Sequence, residues 1–133
     1  MASVDCGHNH PDQLVHDGPQ LSVVIGNRSA TIPLNKQLTA LLDTGSEWNL
    51  IENSVPAALH MMHIDDKWIR TANGLVLAPV YMGQLIISAL TYTKLHRFVG
   101  VDIDANRVVL GREALSDFTL AYSGGSGKVS LQY

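Results

Sequence analysis

The residues best suited to chemistry are Asp43, Thr44 and Gly45, set in the stretch Leu41-Leu42-Asp43-Thr44-Gly45-Ser46. Two apolar residues lead the chain out of a buried strand and deliver a carboxylate at its end. Thr44 and Gly45 then turn the backbone tightly, and glycine lets it come close to a neighbour. An ionised carboxylate beside apolar residues is costly to bury unless hydrogen bonds or a partner compensate it. Neighbouring backbone N–H groups, the Ser46 hydroxyl and a second carboxyl group are the available compensation. Two carboxyls held within about 3 Å cannot both ionise, so they share one proton. The ionised member of such a pair can draw a proton from water while the protonated member polarises a carbonyl. The plainer reading of the same residues is an ordinary turn after a strand.

The elements that would hold this turn are mostly strands. Leu21 to Gly26 is rich in β-formers and ends at Gly26-Asn27, a turn signal. Ala30 to Leu34 and Gln37 to Leu42 read as further strands, and Leu50-Ile51 continues beyond the turn. Ser54 to Leu59 predicts one short helix, with a capping residue and a proline in its first turn. From Thr71 to Thr93 no residue is charged, a length sufficient for a membrane span. Asn73-Gly74, Pro79 and several β-branched residues argue instead for sheet strands, with Gly83-Gln84 splitting the stretch. Asn73-Gly74 is a hairpin signal, because a two-residue type I′ turn needs positive φ at both positions.

A second segment, Val108-Val109-Leu110-Gly111-Arg112-Glu113-Ala114-Leu115, lies near the far end. Together the two segments resemble the retropepsin family, the single-domain aspartic proteases of retroviral type. In that family an apolar-apolar-Asp-Thr-Gly strand end carries the catalytic Asp, and a later apolar-apolar-Gly-Arg-x-x-Leu segment leads into a short helix. The tail, Phe118 to Tyr122 and Lys128 to Leu131, resembles the family's closing strands more loosely. The resemblance runs from about Pro19 to Tyr133.

It implies an all-β, closed-barrel-like domain over residues 19–133, with a flap hairpin and a short C-terminal helix, active as a homodimer on extended peptides. One chain offers a single Asp-Thr-Gly, so a two-fold dimer would bring Asp43 to Asp43. Asp43, Thr44 and Gly45 take the catalytic positions, with Thr44 bonding across the dimer and the Ser46 hydroxyl bonding to the ionised carboxylate. Ile69 to Val76 would form the flap. Ser46, Trp48, Leu50, Asn73, Gly74, Leu75 and Val109 are the expected substrate contacts, although core packing explains Leu50 and Val109 almost as well. Glu47 and Arg112 are expected to form a partly buried ion pair. The lengthened acid and Trp48 depart from the family's usual residues. The alternative is a catalytically silent dimerisation or peptide-binding module of the same fold.

Composition bounds the rest. The chain has 133 residues, 46% of them hydrophobic and 16% charged, which fits one domain with its own core. A net charge of -3 argues against nucleic-acid binding. One cysteine allows no intrachain disulfide, and no signal peptide or membrane helix is read, so a cytoplasmic location is expected. Residues 1–18 are polar and read as a flexible leader. Cys6, His8, His10 and His16 there match no zinc spacing, and His60 with His63 lacks a third ligand, so no metal or other cofactor is expected. Asp65-Asp66 and Asp102-Ile103-Asp104 read as loop charges, and none is followed by Thr/Ser-Gly.

Overall fold

The computed structural model describes residues 2–133; Met1, the first residue of the expected leader, lies outside the described residues. The elements in chain order are β1 (Ser3–Asp5), α1 (Pro11–Asp17), β2 (Gln20–Gly26), β3 (Asn35–Leu42), β4 (Asn49–Glu52), α2 (Ser54–Leu59), β5 (Met62–Thr71), β6 (Gly74–Ile87), β7 (Tyr92–Val101), β8 (Arg107–Leu110), α3 (Arg112–Leu115), β9 (Thr119–Ser123) and β10 (Lys128–Gln132). Strand order β2-β3-β8-β4-β7-β6, with β6 pairing back onto β2, closes a six-stranded barrel. β5 extends from β6 as a long hairpin. A separate sheet, β1-β10-β9, lies beside the barrel.

Alternation drives the barrel. In β2, Leu21, Val23 and Ile25 are buried, while in β3 Leu38, Ala40 and Leu42 turn the same way. These join Ile51, Leu85, Phe98, Val108 and Leu110 in one core. A smaller apolar cluster of Ala78, Val80 and Val99 gathers Trp48, Leu50 and Ile69 around it.

Several expectations are corrected here. Residues 3–17 are folded instead of forming a flexible leader. β1 pairs with β10, Cys6 bonds to Val129 and Gln20 through its backbone, and Cys6 and Leu14 enter the core. Backbone pairing is indifferent to side-chain polarity, so a polar stretch can still be a strand. Ala30 to Leu34 is a loop stitched by Asn27 and Ser29, whose short side chains bond the backbone and compete with a strand ladder.

The uncharged stretch does make two strands, but β6 runs straight through Gly83-Gln84 and the break comes at the helical turn Ser88–Leu90. At Gly83 a side chain would strike Met61, so that glycine serves close packing instead of a turn. Asp65 and Asp66 lie in β5 next to a register shift, and not in a loop. No helix among the described residues is long and apolar enough to cross a membrane.

Candidate active site

Asp43 follows directly on β3, where parallel pairing with β8 matches Leu41 to Val109 and Leu42 to Leu110. The ladder continues one step further, because the Asp43 N–H donates to Leu110 O at 3.0 Å. The carboxylate is thus carried on the last rung of the barrel. Its Oδ1 accepts the Gly45 N–H at 2.9 Å, and the Ser46 N–H closes the turn on Asp43 O at 3.2 Å. Asp43 is half-buried, while Thr44 and Gly45 are exposed.

The segment after β8 holds this turn from the other side. Arg112 Nη1 donates to Thr44 O at 2.8 Å, the Arg112 N–H to Ser46 O at 2.8 Å, and the Glu113 N–H to Glu47 O at 3.3 Å. Such close approach requires Gly111. A Cβ there would stand 2.7 Å from Ser46 O and press into the main chain of Trp48. The Gly-Arg segment and the Asp-Thr-Gly turn are therefore two halves of one backbone-to-backbone clasp.

Two expected roles are corrected. The Ser46 hydroxyl donates to Trp48 O at 2.7 Å instead of bonding the Asp43 carboxylate. Glu47 is exposed and makes no ion pair with Arg112, whose guanidinium is turned to the Thr44 carbonyl. The acid that does matter is Glu113. It accepts from Asn49 Nδ2 and lies 2.9 Å from His96 Nδ1. Asn49 is wholly buried, and its Oδ1 accepts the Gly111 N–H at 3.0 Å. Burial works against ionising Glu113, but the hydrogen bonds from His96 and Asn49 outweigh it and hold its carboxyl below the usual range. Sequence reading missed Asn49, His96 and Glu113. Asn49 had a signal, as a lone amide ahead of the apolar pair Leu50-Ile51.

A cleft of about 530 Å³ lies between the β5–β6 hairpin and the barrel, lined in part by Leu50, Ile69, Asn73, Val76, Leu77 and Ile103. Of the expected substrate contacts, Leu50 and Asn73 line it, whereas Ser46, Trp48, Gly74, Leu75 and Val109 do not. Trp48 instead packs on the small apolar cluster with Lys67 Nζ 3.9 Å above its ring, and Val109 is buried between Leu41 and Leu50. The hairpin tip is also corrected. Ala72 and Asn73 form the two-residue turn, Asn73 keeps a negative φ, and only Gly74 is positive, at 107°. Thr71 Oγ1 ties the tip by donating to Gly74 O and accepting the Asn73 N–H. Among the described residues no group of His, Cys, Asp or Glu is placed to hold a metal ion.

No protein-family model and no curated protein matches this chain. Solved structures do. The chain superposes on a retropepsin-like aspartic protease from Rickettsia conorii with a TM-score of 0.64 and 16% identity, over 98% of this chain and 90% of that one. The fold is retropepsin-like. EIAV protease, solved in complex with the inhibitor HBY-793, matches with a TM-score of 0.51 and 19% identity, over 74% of this chain and 86% of the other. At such identities the likeness speaks for the retropepsin-like fold, and the chemistry must be argued from the clasp itself.

Proposed function

We propose that this chain is an aspartic endopeptidase that works as a homodimer, cutting extended peptides with apolar residues around the scissile bond. The observation that carries this reading is the clasp. A half-buried carboxylate ends a barrel strand, and a Gly-Arg segment grips the turn behind it from the main chain of Thr44, Ser46 and Glu47. A plain surface turn has no need of so many fixed bonds. In the retropepsin-like fold this arrangement presents Asp43 for water activation, and one chain holds one such carboxylate. A second copy supplies the other, and the two share a proton.

In this reading the β5–β6 hairpin is the flap, and the cleft beneath it takes the substrate's side chains. Leu50, Ile69, Val76 and Leu77 suit apolar residues, and the peptide backbone would pair with the strand edges. Trp48 and Val109 act from behind, by packing the cleft wall.

How the copies meet is constrained by the closing sheet. β10 already has β1 on one edge and β9 on the other, so it has no free edge for a partner's chain end. A second copy either displaces β1 or pairs along an open edge of the sheet, at β1 or at β9. The experiment is cleavage of a peptide library by the purified protein, with and without a transition-state-mimicking aspartic protease inhibitor. Inhibitor-sensitive cuts between apolar residues are expected, at a specific activity that falls on dilution. Absence of cleavage by a protein that is shown to be dimeric would leave the fold as a binding module.

A further inference from the structure

Behind the clasp, polar side chains follow one another without a gap. Lys94 Nζ donates to Asp117 Oδ2 at 2.9 Å, and Tyr92 Oη donates to the same oxygen at 2.7 Å. Tyr92 Oη lies 2.6 Å from His96 Nε2, and His96 Nδ1 lies 2.9 and 3.1 Å from the two oxygens of Glu113. Glu113 meets Asn49, and Asn49 holds the Gly111 N–H. The line joins β7 to α3 and β4, and it ends at the residue on which the clasp turns. His96 is 2% exposed, so water cannot make up for a missing partner.

Counting protons along the line assigns the histidine. The Tyr92 hydroxyl, helped by Lys94 and opposed by burial, holds the Asp117 carboxyl low. At neutral pH carboxyl groups are ionised, so both acids are acceptors only. Tyr92 has one proton to give, and Asp117 takes it. The short contact on the other side of that oxygen must then be filled by a proton on Nε2. Glu113 needs a proton from Nδ1. Both ring nitrogens are donors, and the cations Lys94 and His96 balance the anions Asp117 and Glu113. A buried charge is tolerated when it is paired and fully bonded in this way. The remaining neighbours of Tyr92, Phe118 and Tyr133, present aromatic rings.

We propose that His96 is a positioning residue, held in the folded protein as an imidazolium between Tyr92 and Glu113, which fixes Asn49 and so seats the Gly111–Arg112 segment against Asp43 and Thr44. Its consequence for catalysis rests on the protease reading; its geometry does not. The test therefore reads the folded protein directly. Nitrogen NMR of the wild-type chain at neutral pH, with His96 recognised by its contacts to Tyr92, should show both ring nitrogens protonated. Amide exchange is then compared with Tyr92→Phe, which keeps the ring and removes the hydroxyl, and with His96→Leu. Exchange at Asp43, Gly111 and Arg112 should quicken at least about fivefold, the scale of one lost hydrogen bond, while the β5–β6 hairpin keeps its rates.

A His96 ring with one bare nitrogen overturns the charged state. Unchanged rates at the clasp in Tyr92→Phe, or an equal rise across the whole chain, overturn the positioning role. If His96→Leu does not fold, Tyr92→Phe carries the comparison. A protein that cleaves nothing yet shows both signatures would count against the protease reading alone.

Discussion

The clasp and the β5–β6 hairpin are built on opposite plans. In the clasp, the backbone of residues 43–47 is bonded to residues 110–113, and the buried Asn49 side chain holds the second segment at the Gly111 N–H and Glu113. The hairpin is held by its own ladder and a tied tip, and it leaves Trp68 and Leu75, which do not line the cleft, 65 and 60% exposed. A long strand pair with apolar residues in water is unfinished in a single chain. On the proposed function the clasp needs rigidity, because chemistry tolerates little misplacement. The hairpin needs a surface that something else completes. On the proposed function these are the carboxylate's mount and the substrate's cover.

That contrast sets the predictions. Asp43→Asn should lower cleavage at least about a thousandfold through kcat, with the fold intact by circular dichroism, because general acid–base chemistry is lost. Gly111→Ala should destabilise the protein by about 1–3 kcal/mol in urea unfolding, since its Cβ would strike main-chain atoms that cannot rotate away.

Glu113→Gln tests the clasp by pH. The Glu113 carboxyl is lower in the folded state than its ordinary value of 4.5, so its contribution is present above that value and is lost as pH falls below it. Wild-type stability should therefore drop more steeply with acid than that of Glu113→Gln, in melts taken below pH 4.5. Leu77→Ala, in the part of the hairpin that lines the cleft, should move unfolding by no more than about 0.5 kcal/mol, because that side chain is half exposed. It should raise KM a few-fold and leave kcat near wild type. A hairpin variant that loses kcat instead, or a clasp variant that alters only KM, would erase the distinction.

The legible part of the molecule was what the main chain does at short range. Asp43 to Ser46 and Gly111 to Leu115 announce a strand end and a tight backbone approach, and both are there. The strands β2, β3 and β4 followed from their β-forming residues, and the helix α2 from the proline in its first turn. The expected cap is not made: no side chain caps α2, and the Ser54 hydroxyl bonds Glu52. Side-chain partners across long separations were not legible. Glu47 and Ser46 had plausible partners by resemblance, yet the Arg112 guanidinium and the Ser46 hydroxyl each found a carbonyl nearer to hand. The Asn49–Glu113–His96 line joins three elements with no periodic pattern, so nothing local marks it. Residues 3–17 looked unstructured because β1 is held by backbone pairing with the far end of the chain. At the hairpin tip the turn sits one residue earlier than Asn73-Gly74 implied, because a negative φ at Asn73 leaves Gly74 alone to take the positive one.

The central claim is that each chain carries half of a catalytic pair, and subunit mixing tests it most directly. Asp43→Asn protein is added in increasing excess to a fixed amount of wild type, with mixed dimers followed by native mass spectrometry. The account predicts that cleavage falls toward zero as wild-type chains are drawn into mixed dimers, each holding one aspartate and one asparagine. Cleavage that stays constant while mixed dimers form would contradict it, because a single Asp43 would then suffice.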